Sequence, residues 1–291
     1  MNSQNKYPPI HVWAMTLVIV CVVAVSSFYY FQTSFIQYNT KRLHLLSSVN
    51  GKRIVGLGTS LLRRATFFDE FMSDFGRENG FDGFKFVQIT KGGGLQDDFI
   101  SLMQTIEETK PNVVLIESNL VFLDLVKSEK LKVKIISHRD YLKSIFLKSL
   151  RFFAGSNSWY AQPTRELPFK PVTQDSMRFV SKIKLMRKYE VRDTTLTREF
   201  EDFLIYAREQ KTKIIVVEVP RYEKLEEVVT ELPKNKQKLS ALIQDLKTKY
   251  GIEYLEYPEK LGLEYYVDFS HFNQKGRERY SLWLLSCLSK F

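Results

Sequence analysis

A doubly wound α/β fold is predicted for this chain, with a parallel five-stranded sheet, helices on both faces and one membrane-spanning helix ahead of it. Three observations carry the prediction. Short apolar runs alternate with segments of helical periodicity, the pattern of strands joined by crossover helices. An uncharged twenty-residue run, Val12 to Phe31, precedes them. The chain of 291 residues is 44% hydrophobic and 26% charged, so that about 250 residues remain for one sizeable core once that run is set aside.

Taken in order, residues 1–11 form a short tail and 12–31 a transmembrane helix, long enough at 1.5 Å per residue for a hydrocarbon core of about 30 Å. Trp13 at one end and Tyr29 and Tyr30 at the other suit the interfaces. A cleaved signal peptide is the alternative, but the run exceeds an ordinary h-region and no small-residue cleavage site follows closely. Lys6 precedes the run and Lys41 and Arg42 follow it, a charge count against exporting the domain that long domains routinely override. Residues 32–49 form a connector. Cys21 and Cys287 lie too far apart in setting to form a bridge, so cysteine usage leaves the compartment open.

The globular part covers 50–291. Ile54, Val55 and Leu57 make a buried strand that turns at Gly58-Thr59-Ser60 into a helix carrying Leu61, Ala65, Phe68, Met72 and Phe75. Phe84 to Ile89 alternates as a second strand, and Gly92-Gly93-Gly94 breaks it before a helix with Leu95, Phe99, Leu102, Met103 and Ile106. Val113 to Ile116 is a third strand ending at Glu117-Ser118-Asn119, and Ile214 to Val217 a fourth, closed by Pro220. Leu239, Leu242, Ile243, Leu246 and Tyr250 mark a helix, Ile252 to Tyr257 a fifth strand, and Tyr280, Trp283, Leu284 and Leu288 the closing helix. A five-strand order of the flavodoxin-like kind follows, with functional residues at the carboxyl ends of the strands.

Residues 127–192 interrupt the rhythm with a basic, largely helical insertion of sixteen Lys or Arg and five Asp or Glu. That excess of eleven by itself accounts for the whole chain's net charge of +10. Ile145-Phe146-Leu147, Leu150 and Phe152-Phe153 interleave with Lys143, Lys148 and Arg151. The pattern reads either as a helical insertion with a solvated basic face or as a surface for anionic headgroups or a membrane partner. No nucleic-acid motif accompanies it, so nucleic acid is not expected as a partner.

Of four histidines, only His271 follows a strand's carboxyl end, three residues after Asp268. One turn can bring that carboxylate to the imidazole Nδ1, leaving the other nitrogen free to take a proton from a serine. The alternative is that Asp268 or Ser270 caps the helix expected from Asn273. Ser60 is the candidate nucleophile, Gly92 to Gly94 and Ser60 offer backbone N–H groups for an oxyanion, and Asn119 offers a side-chain amide. Positive φ would equally explain the glycines, and an N-cap would explain Asn119. No metal-ligand cluster, Walker lysine or complete dinucleotide glycine motif is present, and no cofactor is expected.

Ser60, the glycine run, Asn119 and Asp268-x-x-His271, in this order, resemble the SGNH (GDSL-type) hydrolase superfamily over roughly Asn50 to Phe291. The resemblance implies Ser60 as nucleophile, His271 as general base, Asp268 orienting it, and the Ser60 backbone, Gly93 and Asn119 as oxyanion hole. Three positions depart from the family pattern: Thr59 stands for Asp before the serine, Glu117 for Gly and Leu120 for Asp around Asn119. An N-terminal anchor on such a domain looks like the tethered members of bacterial envelope O-acylation. This implies an acyltransferase or esterase for O-acyl, chiefly O-acetyl, groups of a glycan or wall polymer, working beside a multi-pass membrane acyltransferase. It would sit single-pass in the bacterial inner membrane with a periplasmic domain. A non-catalytic adaptor or assembly protein that keeps the fold is the alternative.

Overall fold

The computed structural model describes residues 9–125, 176–186, 189–191, 196–230 and 233–291. These fall into two compact units, one holding residues 9–38 and the other residues 39–125 with everything described from 176 onward. The first unit is the greater part of a 38-residue helix, Ile10–Ser47. Trp13, Leu17, Val18, Val22 and Val25 are each more than half exposed on it. Among the described residues no helix is long and apolar enough to cross a membrane. The side chains of residues 24 and 27–31, within the run expected to span one, and of residues 32–34 after it lie outside the described set.

The second unit begins earlier than the expected boundary at residue 50. The helix carries on through the expected 32–49 connector as far as Ser47, and Leu43 and Leu46 are buried. Arg42 forms an ion pair with Asp69, donates 2.7 Å to the Gln88 carbonyl and lies 4.3 Å over the Phe68 ring. The end of this helix is therefore part of the domain's packing.

Among the described residues seven strands follow in chain order. Five of them form one parallel sheet: β1 (Lys52–Gly58), β2 (Phe84–Thr90), β3 (Val113–Glu117), β6 (Lys213–Val217) and β7 (Glu253–Leu255). Their spatial order is β2-β1-β3-β6-β7. In the order of the five expected strands this is 2-1-3-4-5, with its switch point between β1 and β3, where such sheets open a crevice at their carboxyl edge. β3 is buried along its whole length, which its unbroken Val-Val-Leu-Ile run requires of a central parallel strand. Two short strands, β4 (Leu123–Leu125) and β5 (Tyr189–Val191), pair antiparallel outside this sheet and had no counterpart among the expected elements.

Other departures have local causes. The helix expected to run unbroken through Leu61 and Phe75 is two helices, Ser60–Ala65 and Asp69–Glu78. Thr66 takes an extended conformation, and its hydroxyl accepts 2.6 Å from the buried Gln88 amide. The break buries Phe67 in the core and leaves Phe68 beneath Arg42. A helix at Arg198–Glu209 was not anticipated, although Phe200, Phe203, Leu204 and Ala207 are its buried face at helical spacing. Within the expected insertion Ser176–Met186 is helical and Tyr189–Val191 a strand, whereas 126–175 and its basic aromatic stretch lie outside the described residues.

Candidate active site

β1 delivers its last residue, Gly58, against the end of β3. A Cβ at Gly58 would sit 2.5 Å from the Leu62 Cβ and 2.9 Å from the Glu117 Oε2, so only glycine lets the turn close there. Thr59 caps the helix that follows, its hydroxyl accepting 3.2 Å from the Leu61 N–H. Ser60 is the first helical residue, and its N–H has no hydrogen-bond partner among the described residues.

The Asp268-Phe269-Ser270-His271 turn lies opposite. Phe269 is held at φ 54°, a left-handed conformation that a bulky residue adopts only under constraint. Its ring, 2% exposed, packs 5.1 Å from Phe179 and 6.1 Å from Tyr222. Packing thus fixes a backbone that folds the Asp268 carboxylate back over the turn. Oδ1 accepts from the backbone N–H of His271 at 3.0 Å and of Ser270 at 3.2 Å. The same carboxylate meets His271 Nδ1 at 2.8 and 3.0 Å. With its Nδ1–H so engaged, the imidazole presents Nε2 as an acceptor to the Ser60 hydroxyl, 2.8 Å away. The closing helix, Gln274–Leu288, is capped by Asn273, whose Oδ1 accepts 3.1 Å from the Gly276 N–H. Neither Asp268 nor Ser270 is therefore needed as its cap.

Lys182, from the Ser176–Met186 helix, donates 3.1 Å to the other Asp268 oxygen. Burial would raise the Asp268 carboxyl, but His271 and Lys182 outweigh it and hold the group well below the usual carboxylate range. It remains the negative partner that an imidazolium needs.

Ser60 and His271 open on a cleft of about 110 Å³ that Gly93 and Asn119 also line. Leu95, Leu123, Met186 and Tyr189 supply apolar walls, while Lys182 and Arg221 supply cationic ones. Gly93 has φ 64°, and its N–H is unpartnered among the described residues. Asn119 donates one amide hydrogen 2.9 Å to Glu117 Oε1. The five candidate positions read from sequence are thus gathered at one carboxyl edge. Sequence reading missed Lys182, Arg221, Met186 and Tyr189, which reach the cleft from distant segments without any local motif. Among the described residues no cluster of His, Cys, Asp and Glu could hold a metal ion.

An adjoining cavity of about 50 Å³ shares Asn119, Leu123 and Arg221 with the cleft and contains Glu218. Burial and the nearby Glu226 charge push the Glu218 carboxyl up from 4.5 to about 7, against the opposing Tyr257 N–H and Arg221. A raised carboxyl binds more protons folded than unfolded, so this group's effect is to lower stability as pH rises from 4.5 to about 7. Glu218→Gln should be neutral at pH 4 and stabilising by at most about 3 kcal/mol at pH 8, at 1.36 kcal/mol per pH unit. Urea unfolding at pH 4, 6 and 8 measures this; an equal difference at every pH would contradict it.

No family model matches the chain, and no curated protein matches it. Among solved structures it is similar to a GDSL-like lipase from Bacteroides thetaiotaomicron, at 13% identity and a TM-score of 0.41, over 87% of this chain and 98% of that one. It is similar also to an acetyl xylan esterase, at 12% identity and a TM-score of 0.42, over 81% and 99% of the two chains. A third is a lipase/acylhydrolase from Enterococcus faecalis, at 11% identity and a TM-score of 0.39, over 82% and 96%.

Proposed function

We propose that this chain is an SGNH-type serine esterase or O-acyltransferase, tethered to a membrane and acting on O-acyl groups of a cell-envelope glycan or wall polymer. One observation carries the reading: the Ser60 hydroxyl, the His271 imidazole and the Asp268 carboxylate stand in a continuous relay, with 2.8 Å at each junction. That is the arrangement which turns a weakly acidic hydroxyl into a nucleophile.

In this reading His271 Nε2 takes the Ser60 proton as Oγ attacks an ester carbonyl. Asp268 holds the ring in place and balances the imidazolium. The Ser60 N–H, the Gly93 N–H and the second amide hydrogen of Asn119 are the donors for the tetrahedral oxyanion. Collapse of that intermediate breaks the ester C–O bond, and His271 returns its proton to the departing alkoxide. The acyl-Ser60 ester is then attacked by water for hydrolysis or by a sugar or polyol hydroxyl for transfer, with His271 again as base. A cleft of about 110 Å³ suits a short acyl group such as acetyl.

The anchor and its location belong to the same proposal. The uncharged run 12–31 and the exposed apolar side chains from Trp13 to Val25 support an attachment to the bilayer. A periplasmic domain at the bacterial inner membrane, with a multi-pass acyltransferase as donor, would then place the nucleophile beside its polymer.

Intact-protein mass spectrometry after incubation with p-nitrophenyl acetate tests the chemistry. One acetyl group on Ser60, lost faster when a polyol acceptor is added, is expected for a transferase; loss indifferent to the acceptor marks a hydrolase. No acyl group on Ser60 and no turnover would leave the non-catalytic adaptor.

A further inference from the structure

Glu117 has 0% exposure at the carboxyl end of β3 and is surrounded by donors. Its Oε2 accepts from the Thr59 N–H at 2.6 Å and from the Leu62 N–H at 3.1 Å. The Thr59 hydroxyl donates at 2.7 Å to Oε1, which also accepts 2.9 Å from the Asn119 amide. All four donors belong to two segments, the turn that carries Ser60 and the Asn119 side chain. The close approach at Gly58, 2.9 Å from an added Cβ to Oε2, shows how tightly the carboxylate fills the gap between β1 and β3.

Resting on the reading of Ser60 as nucleophile, we propose that Glu117 is a positioning residue for the acyl-transfer step. It pins the nucleophile turn and the Asn119 amide to one rigid point. A buried carboxylate is costly to desolvate, and an apolar residue of similar volume would fill the same space without that cost. What the carboxylate adds is direction. It takes one amide hydrogen of Asn119 and leaves the second for the cleft that Asn119 lines, and it holds the Thr59-to-Leu62 backbone around Ser60. Oxyanion stabilisation depends on donors fixed before charge develops, and a displacement of about 1 Å can cost two orders of magnitude in rate.

This also joins two departures from the pattern that the sequence resembles. Where the carboxylate before the serine is missing, Thr59 bonds to a carboxylate supplied by β3. Glu117 stands in place of a glycine, and Gly58 leaves it room.

The test compares the full chain, purified in mild detergent, with Glu117→Gln, Asn119→Ala and the double variant. Each is followed by thermal unfolding, by kcat and KM on p-nitrophenyl acetate, and by the rate of Ser60 labelling with a serine-directed phosphonate. Unmodified protein that neither labels nor turns over would remove the nucleophile reading itself, which separates that failure from failure of the Glu117 role. Where it labels, Glu117→Gln turns an acceptor oxygen into a donor facing other donors. Its kcat should fall about 10- to 100-fold with KM within about twofold. The double variant should retain at least about fivefold more activity than the product of the single losses, because both act on one amide. Losses that multiply, or a Glu117→Gln kcat within about twofold of the unmodified chain, overturn the proposal. Should Glu117→Gln not fold, Thr59→Val removes one of its donors with the carboxylate in place. The same kcat loss at constant KM is then required, and an unchanged kcat overturns the proposal.

Discussion

Replacing Ser60 with alanine is expected to lower kcat for an activated acetyl ester by a factor on the order of 10⁴ to 10⁶, leaving only the background that oriented donors provide. The fold should survive, because among the described residues the Ser60 side chain makes one hydrogen bond, to His271, at a half-buried position. Loss of such a bond is worth about 1 kcal/mol. His271→Ala should fall by a similar factor, since Nε2 is the base that Ser60 requires. The double variant should be no slower than the slower single one, because nucleophile and base act as a unit. Steady-state kinetics with p-nitrophenyl acetate on the three variants, with melting curves, reads all of this. Undiminished turnover in either single variant would mean that another group performs the attack.

The second large effect is expected at Asp268→Asn, with kcat reduced on the order of 10³- to 10⁴-fold. The carboxylate accepts from His271 Nδ1 at 2.8 Å, and an amide that turns its NH₂ toward the ring would favour the opposite tautomer. Nε2 would then carry a hydrogen and could not receive one from Ser60. KM should change little, because Asp268 does not line the cleft. Stability offers a second readout with a definite sign. The Asp268 carboxyl is held below its ordinary value of 3.8, so its contribution is present above that value and is lost as pH falls through the depressed one. The variant should therefore be less stable than the unmodified chain at pH 7, and the gap should narrow below about pH 3.8. Water screens the pairing, since the side chain is 39% exposed, and the gap at pH 7 should be at most about 1 kcal/mol.

Much of this arrangement was legible because it is written in short-range patterns. Val113 to Ile116 reads as a fully buried strand, and Gly58-Thr59-Ser60 as a strand-to-helix junction. The interval between Asp268 and His271 permitted one turn, which the structure closes at 2.8 Å. Periodicity failed where tertiary contacts redirect the backbone. The helix after Ser60 breaks at Thr66 because the buried Gln88 amide binds its hydroxyl, a contact across 22 residues. The Arg198–Glu209 helix was overlooked among its charges, although the spacing of Phe200, Phe203, Leu204 and Ala207 was available to be read. Expecting the domain to start at residue 50 missed Leu43 and Leu46, whose burial depends on what the rest of the chain places around them.

The chain alone therefore determined which residues lie at strand ends, and with them the candidates Ser60, Gly93, Asn119, Asp268 and His271. Their secondary-structure settings follow from spacing within about ten residues, and spacing is local. Tertiary structure decided which neighbours those candidates keep. The pairing of Leu57 with Ile116 brings the Ser60 turn beside Glu117, so an apparent irregularity of the third strand becomes a partner of Thr59 and Asn119. Lys182 reaches Asp268 across 86 residues by the same kind of long-range packing. Strand register and side-chain contact arise from burial shared among distant segments, and no run of adjacent residues encodes them.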